Sequence, residues 1–382
     1  MKKIDTRLVL HFPGFEPLDA QAHQQRYARS AAQASKIWGA DFAVKPLVQD
    51  DVGACFDVEA RSDAWQVRST IHVFDHNELI AEMRSEPLWR QLLAGYCAAV
   101  HVVVQGGALG YLRHAWRFGL FFLFPFLFVG LAMVLSLAIA ALPVVFGLSF
   151  WLFALSVPAA VGFFVFLFVP YSNRFHTLHL FADWRLAVGV AREDDSVRLW
   201  VEKSADDMLQ ALKQNADEVL ITAHSMGASL AIAAIGRVLE KEPEAFAARD
   251  VTFVTLGGAA LQCALLSSAT TLRRRVGVLA RNRDVLWFDI QCLTDPIHLY
   301  RCHTVALCGH EDARQPKLVF IRFKHALSAE RYKRNRRDLL RMHRQYVLGP
   351  DRKSGFDFTL MTAGPLPAAR FADLKSDQPP VF

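Results

Sequence analysis

The run Glu218-Val219-Leu220-Ile221-Thr222-Ala223-His224-Ser225-Met226-Gly227-Ala228-Ser229-Leu230-Ala231 sets one serine at an abrupt change of pattern. An apolar, strand-like stretch enters it, and a small-residue, helix-like stretch leaves it. A serine hydroxyl becomes a useful nucleophile when a tight strand-to-helix turn holds it out toward a base. Such a turn is crowded, so the positions two before and two after the serine must be small. Ala223 and Gly227 meet that demand, while Ala228 and Ala231 let the helix lie close to the sheet. The helix N-terminus would aim backbone N–H groups and partial positive charge at the reaction centre. The same five residues could also form an ordinary strand-to-helix turn with a Ser N-cap. The strand before and the helix after favour the nucleophile, with Ala223, His224 and Gly227 forming its elbow.

With these residues the chain resembles the α/β-hydrolase superfamily, in particular its lipase-like members. The usual family pattern is Gly-x-Ser-x-Gly; here it reads Ala223-His224-Ser225-Met226-Gly227, with Ala in the first Gly position. The resemblance implies an α/β-hydrolase fold with a mostly parallel sheet, flanked by helices. It also implies a serine esterase that works through an acyl-enzyme, with no cofactor and no metal. In the family the triad follows the chain order Ser, acid, His.

Leu8-Val9-Leu10-His11-Phe12-Pro13-Gly14-Phe15-Glu16-Pro17 is a strand ending in a turn. By resemblance such a loop supplies one oxyanion-hole amide, assigned to Phe15 with Gly14 close behind, and Met226 supplies the other; the bland alternative is a plain Pro-Gly turn. The acid is expected at Asp295, where Thr294-Asp295-Pro296 resembles the Asp-Pro turn of lipases after a strand at 285–292. Asp289 lies within that strand and Asp284 before it, so both fit less well. The base is expected at His343, with Tyr346 three residues on as in some lipase-like hydrolases; His325 is the alternative. His224 reads as a pocket or packing residue, because a base must approach the hydroxyl from across the cleft. A reading from another class is a catalytically silent hydrolase-like module that binds a partner or organises a membrane complex.

The elements that must position these residues lie on both sides of an unusual block. Between Phe118 and Ser172 the chain has no charged residue. One membrane span takes about 20 apolar residues, so the block holds two, expected at 118–142 and 146–170. Insertion of the first is favoured by about 5 kcal/mol or more. The turn between them is expected near 141–143 or at Gly147, where Pro and Gly break the pattern. A core helix of a soluble domain would show a polar face, and these do not. Arg113 and Arg117 precede the block, and Arg174 and Arg185 follow it. That bias places both flanks on the cytoplasmic side. The expected location is a membrane, multi-pass with two helices and a cytoplasmic soluble part, as in a bacterial inner membrane.

The block at 116–174 would then interrupt one discontinuous domain, 1–115 and 175–382. Strands are expected at 7–12, 43–48, 66–74, 218–223, 250–256, 285–292 and 317–323. Helices are expected at 19–38, 85–99, 225–239 and 265–280. Strands alternating with helices imply a parallel sheet covered on both faces.

Composition sets the remaining bounds. The 382 residues carry a formal net charge of +6, and 53% are hydrophobic. The positive balance suits acidic lipid headgroups. No RNP, zinc-finger or basic-zipper pattern supports a nucleic-acid partner. The expected partners are the lipid bilayer and an apolar or acyl substrate, with the oligomeric state left open. The start at Met1-Lys2-Lys3 lacks the apolar core of a signal peptide. The six cysteines are scattered, which favours free thiols. Cys302, His303, Cys308 and His310 lack the tight pairing of zinc ligands. Arg331, Lys333, Arg334, Arg336, Arg337, Arg341 and Arg344 form a basic run around His343. It is either a solvated helix face or a face against anionic headgroups.

Overall fold

A computed structural model describes residues 4–382. Its centre is one sheet of nine strands: β1 (Thr6–Phe12), β2 (Asp41–Val44), β3 (Val48–Gln49), β4 (Ala54–Ser62), β5 (Trp65–Val73), β6 (Glu218–His224), β7 (Val251–Leu256), β8 (Val285–Cys292) and β9 (Lys317–Ile321). The strand order is β2-β4-β5-β1-β6-β7-β8-β9, with β3 paired to β4. β1 lies between β5 and β6, parallel to both. Strands from before and after the apolar block therefore share one set of ladders.

The sheet is mixed, and this corrects the expectation of a mostly parallel one. From β5 through β1 to β9 every pairing is parallel, but β2, β3 and β5 all pair antiparallel with β4. The cause is local. Ser62 pairs with Trp65, so only Asp63 and Ala64 join β4 to β5. A two-residue connection can only reverse the chain. The β4 strand was not foreseen, although Phe56, Val58 and Ala60 alternate strictly with Asp57, Glu59 and Arg61. Its apolar positions Phe56, Val58 and Ala60 are buried.

Period-two alternation divides the core. Leu8, Leu10 and Phe12 of β1 pack on one face with the helices Thr177–Arg192, Asp195–Ala211 and Gly227–Lys241. Val9 packs on the other face, against the helices Ala20–Trp38 and Phe358–Ala363. At the edge of this second layer, buried Arg7 pairs with Glu218 at 2.7 Å. Its other guanidinium N–H groups donate to the carbonyls of Gly364 and Leu366, so the charged group is fully satisfied and ties the C-terminal segment to β1.

The apolar block folds into two helical stretches, Trp116–Val145 and Phe150–Phe175, each long and apolar enough to cross a membrane. Pro143 lies inside the first helix, so the reversal falls after it, around Gly147 at φ +60°. Leu127, Leu137, Phe150 and Phe166 are among many large apolar side chains left exposed. The base of the hairpin is well packed: Phe118 and Phe122 both stack edge-on to buried Trp184.

Candidate active site

Ser225 sits between the end of β6 and the helix Gly227–Lys241, at φ +54°. That left-handed conformation costs an L-residue energy, and it persists because its surroundings over-determine it. The Ser225 N–H donates to the Leu256 carbonyl at the end of β7, and its own carbonyl accepts from Ala228 and Ala259. Gly227 is required by close approach, since a Cβ there would collide with the carbonyl oxygens of Phe12 and Pro13. The elbow helix thus lies directly on the end of β1.

The loop leaving β1 folds over the elbow. At Gly14 a Cβ would meet His224 Nδ1 at 2.7 Å and Ser225 Cβ at 3.2 Å. Phe15 follows, buried, with its ring 4.8 Å from that of His179. Neither the Phe15 N–H nor the Met226 N–H finds a hydrogen-bond acceptor among the described residues. Two uncommitted donors beside one serine hydroxyl are what an oxyanion would need.

Asp295 lies in the loop after β8, fully buried. Its Oδ2 is 2.7 Å from His343 Nδ1, and its Oδ1 accepts from the Ile297 N–H. Burial alone would raise its pKa. The His343 and His298 imidazoles outweigh that and hold the carboxyl well below the usual range. His298 Nδ1 is 3.3 Å from the same oxygen. Tyr346 braces this loop from beneath, its hydroxyl accepting from the Cys292 N–H at 2.9 Å.

His343 ends the short helix Leu339–His343 and is 4% exposed. Its Nε2 is buried and has no hydrogen-bond partner among the described residues. Ser225, His343, Gly14 and Phe15 line one cavity with His224, Glu16, Asp183, Phe121 and Leu340. The cavity holds about 30 Å³, room for a water but not for an acyl chain. Phe121, Leu180 and Leu340 are among the apolar members of its wall.

Of the sequence candidates, Ser225, His343, Asp295 and Phe15 converge, with Met226 next to Ser225. His325 does not: its Nδ1 is 3.1 Å from Ser376 Oγ, and it is absent from the cavity wall. Asp289 points elsewhere, accepting from Thr255 and Gln291. The 302–310 run does not converge either, since Cys302 Sγ approaches the His114 carbonyl and His310 Nε2 the Arg273 carbonyl.

Four neighbours were not read from the sequence. Glu16 is buried and ion-paired with both Arg26 and Arg344, tying the β1 loop to the residue after His343. Burial opposes its ionisation, but the two guanidinium groups prevail and bring its pKa down to about 2. Asp183, on the helix Thr177–Arg192, accepts from Gln262, and burial lifts its pKa to about 6. His298 and Phe121 complete the surroundings. Only His298 left a signal, three residues beyond Asp295.

Residues 165–280, which include the elbow, match the family model described as Lipase (class 3), a lipase family of the α/β-hydrolase superfamily. No curated protein and no solved structure matches the chain.

Proposed function

From the class 3 lipase match as premise, we propose that this chain is a membrane-anchored serine hydrolase that cleaves an acyl ester. The family match supports a lipase-like ester hydrolase at the coarser level. The observation that carries the finer reading is the shared cavity: strained Ser225 and the free Nε2 of Asp295-bonded His343 line the same wall.

In this reading Ser225 Oγ attacks the ester carbonyl while His343 Nε2 takes its proton. Asp295 holds the imidazole in the Nδ1–H tautomer and stabilises the imidazolium that forms. The Phe15 and Met226 N–H groups donate to the tetrahedral oxyanion. His343 returns the proton to the departing alkoxide, leaving an acyl-Ser225 that water cleaves by the same path in reverse order. Apo geometry between nucleophile and base is commonly loose and tightens with substrate bound.

The hairpin gives this chemistry its place. Phe121, in the first long apolar helix, lines the Ser225 cavity, and Arg117 at its base donates to the Leu293 carbonyl in the Asp295 loop. A hairpin in the bilayer would hold the cavity at the lipid surface, with the arginine flanks on the cytoplasmic side. The cations around His343 would then face anionic headgroups, at about 1 kcal/mol each where well placed. An apolar acyl substrate suits such a site.

Membranes containing the full chain should label with a fluorophosphonate probe, and Ser225→Ala should abolish the label. Wild-type protein that is folded and unlabelled would overturn the enzyme and leave a silent hydrolase-like module.

A further inference from the structure

Apart from the residues that line the Ser225 cavity, three side chains of different chemistry meet at the start of β4 and the end of β5. Cys55 and His72 are register partners across the β4–β5 ladder, and both are buried. Asp50, in the turn between β3 and β4, reaches over them. Its Oδ2 is 3.4 Å from Cys55 Sγ and its Oδ1 is 3.9 Å from His72 Nδ1. All three candidate ligand atoms lie within 4.8 Å of one another.

We propose that Asp50, Cys55 and His72 form a binding site for a zinc-class divalent cation, with water as the fourth ligand. Zinc bonds of roughly 2.0–2.3 Å set tetrahedral ligand atoms roughly 3.3–3.8 Å apart; the Cys55 Sγ to Asp50 Oδ2 separation of 3.4 Å already fits, and the remaining ligand atoms, within 4.8 Å, would draw in by about 1 Å. Thiolate with imidazole and carboxylate is a donor set for a borderline-soft ion rather than for magnesium or calcium.

A second observation points the same way. His72 is 1% exposed, yet its Nδ1 is buried without a hydrogen-bond partner. A buried ring nitrogen left unpaired is costly, and a cation would satisfy it. The other ring nitrogen is already served: His72 Nε2 lies 3.2 Å from the Gln214 side-chain amide. The contacting atom is the Gln214 amide nitrogen; turning the amide over, which exchanges its nitrogen and oxygen, makes Gln214 the acceptor of Nε2–H and frees the Nδ1 lone pair for metal. Asp50 is held in place beforehand, because its Oδ1 accepts from the Val52 and Gly53 N–H groups. Those bonds explain Asp50 as a turn residue. They do not explain why a thiol and an imidazole converge on it.

The site borders a cleft of about 390 Å³ lined by His72, Ala54, Trp200 and Lys203, which leaves the fourth position open to water. Binding exchanges the Cys55 thiol proton for the cation and releases the proton to solvent. The bound ion would clip the β3–β4 turn onto β5, the strand beside β1.

The test uses the full chain in detergent, stripped by chelator and titrated with Co²⁺. The expected result is a thiolate-to-cobalt charge-transfer band that saturates at one ion per chain and disappears in Cys55→Ser. Asp50→Asn keeps the turn's acceptor but loses the anionic ligand, so it should bind more weakly without unfolding. Gln214→Ala should weaken binding roughly tenfold. No band in the wild type, or a band that survives both Cys55→Ser and Asp50→Asn unchanged, overturns the site.

Discussion

His224 Nε2 donates to the main-chain carbonyl of His343 across 3.0 Å, and the two rings stand 4.8 Å apart. The residue before the elbow serine therefore fixes the backbone of the residue whose imidazole faces that serine. Burial brings the His224 pKa down to about 3, so the ring stays neutral and keeps the Nε2–H that the carbonyl requires.

That bond gives His224 a positioning role. His224→Phe fills the space but removes the side-chain hydrogen bond to that carbonyl, at a cost of about 0.5–1.5 kcal/mol. In the proposed mechanism kcat on a short-chain ester should fall about tenfold while KM holds, because the lost precision is felt in the transition state. A variant with unchanged kcat would show that His343 keeps its place without the clamp.

The backbone of Ser225 offers a test separate from its hydroxyl. Ser225→Ala and Ser225→Gly both remove the proposed nucleophile, so neither should label or turn over. They differ in what φ +54° costs. Alanine retains the left-handed penalty, and glycine sheds it against a smaller entropic loss. The glycine variant should be the more stable by about 1 kcal/mol in thermal unfolding. Equal stability would mean that the elbow is not strained.

The elbow was legible because strand, sharp turn and small-residue helix are all local signals, and so was the apolar block. Asp295 and His343 could be named by resemblance alone, one from an Asp-Pro turn after a strand and the other from Tyr346 three residues on. What could not be read was non-local. β4 alternates plainly, but its antiparallel pairing with β2, β3 and β5 depends on which strands flank it, so the mixed sheet went unforeseen. Glu16 looks like an ordinary loop glutamate until Arg26 and Arg344, far apart in sequence, close around it. His325 and His343 both follow β9, and only packing puts one at Ser376 and the other at Asp295.

Glu16 predicts how the fold responds to acid. Its pKa falls from 4.5 in the free chain to about 2 in the fold. A carboxyl shifted downward stabilises fully above its unfolded pKa and loses that contribution as pH drops from 4.5 toward 2. For this buried group the contribution is about 3 kcal/mol. Glu16→Gln should lower stability near pH 7 and flatten the loss between pH 5 and 2. A wild-type melting temperature that stays level over that range, or a variant that follows the wild type throughout, would refute the ion-pair account.

Asp183 carries the opposite sign. Burial raises its pKa from 3.8 to about 6, so the folded state holds a proton that the unfolded chain has already released. Stability therefore falls as pH rises from 3.8 through 6, by about 3 kcal/mol at most. Asp183→Asn can still accept from Gln262 and never ionises. It should match the wild type near pH 3 and exceed it in stability at pH 8. Asp183 also lines the cavity with His343, and above pH 6 it adds a negative charge to that wall, which in the proposed mechanism would help offset the positive charge that develops in the transition state. In the proposed mechanism the asparagine variant should be more stable at pH 8 and a few-fold slower there, while at pH 5 the two enzymes turn over alike. A variant no more stable than wild type at pH 8 would mean that Asp183 is already ionised at little cost.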